Sequence, residues 1–451
     1  MIVEDGALYA ALGGGGDKAN GPGASVAASV ANLSAAILGA GILSLPAAFA
    51  QAGYATTLAL LGASGAVSWF TMHLLTVVSR EVGGSDASFY IVAQRAIPRQ
   101  AWMVEAAVIV SCFGLGTAYL VAFGETMPLV VSPSGHAHSS GAWLINPYLW
   151  VAVGAAVAAP LAFARSMDNL RFTSSGGMVA AVFLAAVALY YFFQPNGAVC
   201  PRPDDDDQND QNDQNDQNDD ESWKAPHCGG SFHAAVASGP GILRTLSLVV
   251  FSFTAHIQLL SVCNEVALPY RQRRMDAICG GAVGLCALLY AVVGFCGYAV
   301  YGGGVSANLL LSYPGDPLVT AARVGISGLV VISYPLMAKP CRDSVLSLLA
   351  HASGDERLAR FAGSRGGFLL ASAAFVGGTF GAAMGLVGNP DALGLILSFV
   401  GATCAVLVVF IIPPVVYATV FPQPHPKRTL AQAIACLGAL LVPVCVASIF
   451  V

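Results

Sequence analysis

The stretch from Ala27 to Tyr54 decides the fold, and it reads AASVANLSAAILGAGILSLPAAFAQAGY. It is apolar and long enough to cross a bilayer, for which about 20 residues suffice. Its middle nevertheless contains Gly39 and Gly41, followed by Pro46, and these residue types weaken a helix interior. Backbone groups freed inside hydrocarbon must be satisfied by protein or water, so an interruption here is typical of a helix that lines a cavity. A close helix crossing, which also requires small residues, is the alternative.

The composition predicts an all-α integral membrane protein. The chain of 451 residues is 56% hydrophobic and only 10% charged, whereas soluble domains contain about 25% charged residues. The apolar runs are long and continuous, which excludes the two-residue alternation of a β-barrel. About eleven transmembrane segments are predicted, at 26–50, 54–79, 102–131, 146–164, 173–194, 241–262, 277–301, 317–339, 366–388, 391–417 and 429–450.

Charged residues in the connections predict the orientation. Lys and Arg cluster in the connections on the side of the N-terminus, while the opposite connections contain only Arg202 and Lys224. By the positive-inside rule the N-terminus is cytosolic and the C-terminus is outside or luminal. We expect residues 1–24 to be a disordered cytosolic tail and residues 25–451 to form a single transmembrane domain. No basic stripe for nucleic acid and no metal-binding cysteine pattern occurs, and no cofactor is predicted.

Two connections stand out. The only long outside loop, at about 196–240, contains an Asp, Asn and Gln repeat that cannot bury a core, so we expect it to be disordered. Cys200 and Cys228 flank this repeat, and they either form a disulfide in an oxidising lumen or remain free thiols. The first inside connection, from Arg80 to Gln100, is predicted to contain a short helix at the membrane interface, with an ordinary loop as the alternative.

The sixth segment contains polar residues deep in the membrane. It reads FSFTAHIQLLS from Phe251 to Ser261, so His256 and Gln258 lie close to mid-membrane. Such residues usually face protein or water, and a histidine there can carry a proton. A neutral histidine that donates to a neighbouring helix is the alternative. Interruptions in segments one and six would hold corresponding positions in two five-helix halves, which predicts a LeuT-type 5+5 inverted repeat plus one extra C-terminal helix.

Four short motifs carry a resemblance to a known family. They lie in the first, third, sixth and eighth segments, in this order: Asn32–Ser34 with Gly39–Leu43, Pro46 and Ala52–Gly53; Tyr119–Leu120 with Gly124–Met127; Phe251–His256 with Asn264–Glu265; and Tyr334–Leu336 with Pro340, Arg342 and Ser344. The chain resembles the amino acid/auxin permease family, and most closely its branch of sodium-coupled neutral amino acid transporters. The resemblance implies eleven spans, an inside N-terminus and a disulfide after the fifth helix, here between Cys200 and Cys228.

The resemblance and the two interruptions together predict a secondary active transporter of neutral α-amino acids. The substrate carboxylate is expected to meet free N–H groups at a helix N-terminus in the first segment, and the substrate ammonium to meet backbone carbonyls of both interruptions. A tyrosine on the third segment is expected to cap the carboxylate. The predicted substrate-binding residues are Ile37, Leu38, Gly39, Ala40, Gly41, Tyr119, Phe253, Thr254 and Ala255.

The coupling ion is predicted from one departure from the family pattern. In sodium-coupled members the residue after Asn-Leu-Ser is commonly another Asn, which the resemblance implies as a cation ligand; here it is Ala35. The hydroxyl partner on the eighth helix is retained as Ser333. We therefore favour coupling to H⁺ over Na⁺, with His256 as the candidate carrier. The expected partners are an amino acid, the coupling ion and membrane lipid, in a plasma membrane or a vacuolar or lysosomal membrane.

Two other classes of function remain open at this point. A non-transporting amino acid sensor or a channel would use the same fold. An intramembrane serine protease is a remote alternative, because Gly62–Gly65 and Gly325–Gly328 both fit the pattern Gly-x-Ser-Gly. Such a nucleophile needs a histidine base within hydrogen-bond reach, and His73 lies more than two helical turns from Ser64.

Overall fold

The computed structural model describes residues 25–83, 87–132, 142–163, 171–194, 231–236, 238–266, 272–353, 360–361 and 364–449. These residues form an all-helical bundle, and no strand occurs among them. The helices are α1 Val26–Ile37, α2 Gly41–Ala52, α3 Tyr54–Val78, α4 Phe89–Ala96, α5 Ala101–Val131, α6 Pro147–Ala162, α7 Arg171–Phe193, α8 Gly239–Ser252, α9 His256–Glu265, α10 Gln272–Tyr301, α11 Leu309–Ser312, α12 Pro317–Ser353, α13 Arg365–Leu386, α14 Ala392–Val400, α15 Ile412–Val420 and α16 Pro426–Ile449.

The prediction of a helical membrane protein is confirmed. In the described part of the chain, 9 helical stretches are long and apolar enough to cross a membrane, and the bent pair α1–α2 brings the number to 10. The fourth predicted segment corresponds to α6, whose 16 residues are fewer than the about 20 that a straight span needs. The count of eleven spans therefore stays a prediction.

Both predicted interruptions are present. Helices α1 and α2 meet at an angle of 61°, with Leu38–Ala40 outside the helices. In the sixth segment α8 ends at Ser252 and α9 begins at His256, which leaves Phe253–Ala255 outside the helices. We expected Gly41 and His256 to lie inside the interruptions. They instead begin the helices that follow them, Gly41 at the start of α2 and His256 at the start of α9. Helix α10 packs against α1, α2 and α3, so it is one of the helices that flank the first interruption.

The turn between α2 and α3 requires glycine. Gly53 has a φ of 83°, a region that L-residues avoid, and a Cβ atom there would lie 2.6 Å from the carbonyl oxygen of Ala234. The backbone of Tyr54 and Ala55 donates to the carbonyls of His233 and Ala234. Residues 231–236, at the end of the predicted outside loop, therefore pack on this turn. The N-terminal tail 1–24 and the pair Cys200 and Cys228 lie outside the described residues.

The predicted short helix in the first inside connection is confirmed as α4. The side chain of Ser88 caps it, since its hydroxyl accepts from the N–H of Ile91 at 3.2 Å. Its apolar residues Phe89, Val92 and Ala93 are buried, so this face of α4 packs against the bundle.

Candidate functional site

The first interruption exposes backbone groups in the middle of a span. Leu38 ends α1 with an N–H that donates to the carbonyl of Ser34, and α2 begins at Gly41 without a side-chain cap. Across the described residues, no backbone acceptor pairs with the N–H groups of Gly39, Ala40 or Gly41. These N–H groups stand at the positive end of the α2 dipole, which favours an anion.

The second interruption is stabilised by side-chain hydrogen bonds. The carbonyl of Phe253 accepts a hydrogen bond from the Ser68 hydroxyl at 3.0 Å, and the hydroxyl of Thr254 donates to the carbonyl of Val250 at 3.0 Å. Phe253 and Ala255 are completely buried. A side chain of the neighbouring helix α3 therefore satisfies a carbonyl of the interruption, and a side chain of the interruption satisfies a carbonyl of α8.

Tyr290 on α10 joins the two interruptions. Its hydroxyl lies 2.8 Å from the carbonyl oxygen of Ile37 and 2.9 Å from that of Ser252, so its single proton is shared between the last carbonyls of α1 and α8. Gly41 also touches α8, because a Cβ atom at this position would lie 2.5 Å from the Ser252 hydroxyl oxygen. The two broken spans thus meet where each one unwinds.

A cavity opens beside the first interruption, between the broken span and the fifth and eighth segments. Its volume is about 30 Å³. Its walls are mainly apolar, and the only polar side chains among its described lining residues are Tyr119 and Ser333. The lining comprises Leu38, Gly39, Ala40, Ile42, Leu43, Tyr119, Gly177, Ala181, Ile326, Leu329, Val330 and Ser333.

The lining of this cavity combines residues of the first interruption with two hydroxyl side chains and apolar walls. The Tyr119 hydroxyl lies 3.9 Å from a Cβ atom placed on Gly39, so it is close to the first interruption. No charged side chain occurs among the lining residues that the structure describes. Typical small-molecule pockets exceed about 300 Å³, so this cavity is much smaller than such a pocket.

His256 does not line the cavity. It is completely buried, and its Nε2 lies 2.9 Å from the Thr71 hydroxyl of α3. The Thr71 hydroxyl is within hydrogen-bond distance of the carbonyls of Val67 and Ser68, so it donates along its own helix and accepts from the imidazole. Nδ1 is then the acceptor nitrogen, and the described residues offer it no hydrogen-bond partner.

The structure brings only some of the predicted residues together. Leu38, Gly39, Ala40, Tyr119 and Ser333 line one cavity. The other predicted residues lie outside this lining, namely Ile37, Gly41, Phe253, Thr254, Ala255 and His256. Ile37 and Gly41 are nevertheless linked to Ser252 at the end of α8, Ile37 through the Tyr290 hydroxyl and Gly41 directly.

Sequence reasoning missed Tyr290 and the apolar walls from the fifth and eighth segments. Tyr290 is one of two tyrosines in the run LYAVVGFCGY, and the only signal for its role was that a hydroxyl inside a span needs a partner. No sequence signal marked the apolar wall residues, since small and branched apolar residues occur on every face of a membrane helix. These residues are Gly177, Ala181, Ile326 and Val330.

A second cavity of about 60 Å³ lies on the opposite face of α2. It is bounded by α2, α8 and α14, and it is more polar than the first, with Arg244 and Asp391 among its lining residues. Arg244 also donates to the carbonyl of Ser448, which fixes it against α16. Helix α2 therefore separates a polar cavity near its C-terminal half from the apolar cavity at its N-terminus.

The fold and the site together define a multi-pass membrane protein with a cavity beside an interrupted helix. The profile of the family described as "Transmembrane amino acid transporter protein" matches residues 22–451. The chain belongs to this family, which confirms the resemblance inferred from the four motifs. Members of the family are transporters rather than enzymes, so the serine protease alternative is excluded.

Curated relatives agree with this assignment. The chain is 28% identical to "Vacuolar amino acid transporter 5" of Schizosaccharomyces pombe over 390 residues, which cover 86% of this chain and 83% of that relative. It is 25% identical to "Vacuolar amino acid transporter 6" of Saccharomyces cerevisiae over 332 residues, covering 73% of this chain and 67% of the relative. "Vacuolar amino acid transporter 5" of the same yeast is 27% identical over 321 residues.

Proposed function

We propose that this protein is a secondary active transporter that moves neutral α-amino acids across a vacuolar or lysosomal membrane, coupled to a proton gradient. The observation that carries the proposal is the meeting of two interrupted spans at the Tyr290 hydroxyl, beside a cavity lined by unpaired backbone N–H groups. The names of the relatives support amino acids as substrates and a vacuolar membrane as the location.

The substrate would bind through its backbone. Its carboxylate would accept from the N–H groups of Gly39, Ala40 and Gly41 and from the Tyr119 hydroxyl. Its ammonium would meet the Leu38 carbonyl, which accepts no backbone hydrogen bond among the described residues, and the second lone pairs of the Ile37 and Phe253 carbonyls. Phe253, Thr254 and Ala255 would reach the substrate as the two interruptions rearrange.

The side-chain pocket supports a neutral substrate. Ala181, Ile326 and Val330 form its walls, and none of them can pair with a charged side chain. Burying an unpaired charge against such walls is costly, so acidic and cationic amino acids would be disfavoured.

Coupling to H⁺ rests on His256. Its unpaired Nδ1 is a buried base at the start of α9, directly after the second interruption, and protonation there would alter the packing of the broken span. Ser333 lies on the cavity wall, where it would contact the ion or the substrate. Ala35 lacks the side-chain oxygen that a sodium site would use.

The proposed architecture is the eleven-span inverted repeat with a cytosolic N-terminus. Interruptions in the first and sixth segments, at corresponding positions of two five-helix halves, support it. Because the cavity has a volume of only about 30 Å³, substrate would enter when these halves move apart.

The test is an uptake panel of the common amino acids with the full chain in proteoliposomes, with proton and sodium gradients imposed separately. We expect accumulation of neutral amino acids driven by H⁺ and insensitive to Na⁺. Gly41→Trp should abolish uptake, whereas Gly62→Trp, at a position with no neighbouring atom within 4 Å, should not. Equilibration without accumulation would indicate a channel, binding without flux would indicate a sensor, and normal uptake by Gly41→Trp would contradict the site.

A further inference from the structure

A second group of buried polar atoms lies at the C-terminal end of α10, and none of its residues lines the first cavity. Arg323 on α12 is only 1% exposed and belongs to a membrane span. Its Nε and Nη2 donate to the carbonyl of Leu310 at 3.1 and 3.0 Å, and Nη2 also donates to the carbonyl of Tyr313 at 2.7 Å. Arg323 therefore holds the C-terminal part of the segment that connects α10 to α12.

The Nη1 side of the Arg323 guanidinium has no hydrogen-bond acceptor among the described residues. Among the described residues, Nη1 of Arg323 has no hydrogen-bond partner, and neither have the hydroxyls of Tyr301 and Tyr313. The rings of Tyr301 and Tyr313 contact each other edge to face, with centroids 5.6 Å apart. Tyr313 also contacts Arg323, because its carbonyl accepts from Nη2. Three unsatisfied donors, one of them on the buried guanidinium itself, thus belong to side chains of neighbouring residues.

No carboxylate among the described residues accepts a hydrogen bond from the Arg323 guanidinium. Asp316 is the acidic side chain within electrostatic range of Arg323. Its two oxygens are used elsewhere, because one accepts from the N–H of Val319 at 2.8 Å and the other accepts from the Tyr191 hydroxyl. A buried charge without a hydrogen-bonded counterion is costly, and unsatisfied buried donors add to that cost. A small anion would remove both costs at once, whereas water would satisfy the donors without neutralising the charge.

We propose that Arg323, Tyr301 and Tyr313 form a binding site for a small monovalent anion such as chloride. The anion accepts from Nη1 and from both hydroxyls, and it neutralises the guanidinium.

The position of the site gives it a structural role in transport. The segment held by Arg323 includes α11, which packs against α2, the second half of the first broken span. The same segment is anchored on its other side by Asn308, whose amide donates to Glu125 and Thr126 of α5 at 3.3 Å. Anion binding therefore stabilises the packing of this connecting segment over the solute pathway.

The test is thermal unfolding of the purified full chain in detergent, with sodium chloride or bromide replaced by sodium gluconate at constant ionic strength. We expect the unfolding temperature to rise saturably with chloride and bromide. Loss of a hydrogen bond to a charged group weakens binding about tenfold or more, so Tyr301→Phe and Tyr313→Phe should each raise the half-saturating chloride concentration by that factor. Arg323→Gln should remove the halide effect.

Tyr298→Phe is the matched control, because Tyr298 lies one turn before Tyr301 and its hydroxyl is paired with the backbone of Ser231 and His233. It should leave the half-saturating concentration unchanged. Equal unfolding temperatures of the wild type in chloride and gluconate would overturn the proposal, and this comparison needs no variant to fold. An unchanged chloride response in both Tyr301→Phe and Tyr313→Phe would also overturn it. Neither measurement involves transport, so the result is independent of the proposed function.

Discussion

Gly41 packs directly against Ser252, since a Cβ atom on Gly41 would lie 2.5 Å from the Ser252 hydroxyl oxygen. The contact joins the first residue after one interruption to the last helical residue before the other. A side chain at position 41 must therefore push the two broken spans apart.

This contact predicts that a second substitution restores the uptake that a first substitution reduces. Gly41→Ala should reduce uptake and destabilise the protein, because overpacking in a buried contact costs about 1–3 kcal/mol. Adding Ser252→Ala removes the clashing oxygen and should restore most of the uptake. This double-mutant cycle is tested by measuring initial uptake rates in proteoliposomes and thermal unfolding. Ser252→Ala alone is the control. Additive losses in the double variant would show that the two residues do not couple.

Tyr290→Phe should loosen the junction between the interruptions. The variant keeps the ring but removes the hydroxyl that donates to two buried carbonyls. The loss of this donor lowers the free energy of unfolding by about 1–3 kcal/mol. We expect a lower unfolding temperature and slower uptake. Tyr298→Phe on the same helix is the control, since its hydroxyl binds the segment 231–236 rather than an interruption. Equal uptake by Tyr290→Phe and the wild type would contradict a role for this hydroxyl at the site.

His256→Ala should remove the dependence of uptake on the proton gradient. If His256 carries the coupled proton, the variant should still exchange substrate across the membrane but should no longer accumulate it. The measurement is uptake and counterflow across a pH series, with and without an imposed gradient. His73→Ala is the control, because His73 pairs with Asp276 at 2.7 Å and lies outside both interruptions. Retained proton-driven accumulation in His256→Ala would assign coupling to another group.

Ala181→Leu should change which amino acids are transported. Ala181 is 3% exposed and lines the cavity, so a larger side chain fills space that the substrate side chain needs. Uptake of leucine and phenylalanine should fall more than uptake of glycine and alanine. Val179→Leu, at a position that is 68% exposed on the same helix, should leave the preference unchanged. A uniform decrease for all substrates would indicate misfolding rather than a pocket wall.

Gly53→Ala should destabilise the turn between α2 and α3. The residue combines a φ of 83° with a Cβ position 2.6 Å from the Ala234 carbonyl oxygen, so both the local backbone and the segment 231–236 must shift. We expect a drop in the unfolding temperature. Gly284→Ala on α10 is the control: no atom lies within 4 Å of its Cβ position, and alanine favours a helix over glycine by about 1 kcal/mol. A drop of similar size in Gly284→Ala would contradict the explanation.

The interruption in the first span could be predicted because its cause is local. Gly39, Gly41 and Pro46 weaken the helix through their own backbone chemistry, whatever surrounds them. The second interruption was indicated by a similarly local feature, the polar group of His256 deep in an apolar run. The short helix α4 was also local, with its Ser88 cap and its apolar face. Composition alone identified a helical membrane protein, because a chain with so few charges cannot cover a soluble surface.

Only the tertiary structure decided which groups face one another. The sequence did not reveal that Tyr290 bridges Ile37 and Ser252, or that Ala181 and Val330 close the cavity, because these contacts depend on how each helix is rotated about its axis. In a membrane the usual sequence signal for rotation is weak: lipid and protein interior are both apolar, so the buried and lipid-facing sides of a span carry similar residues. Packing between distant segments, rather than local chemistry, therefore determined the site.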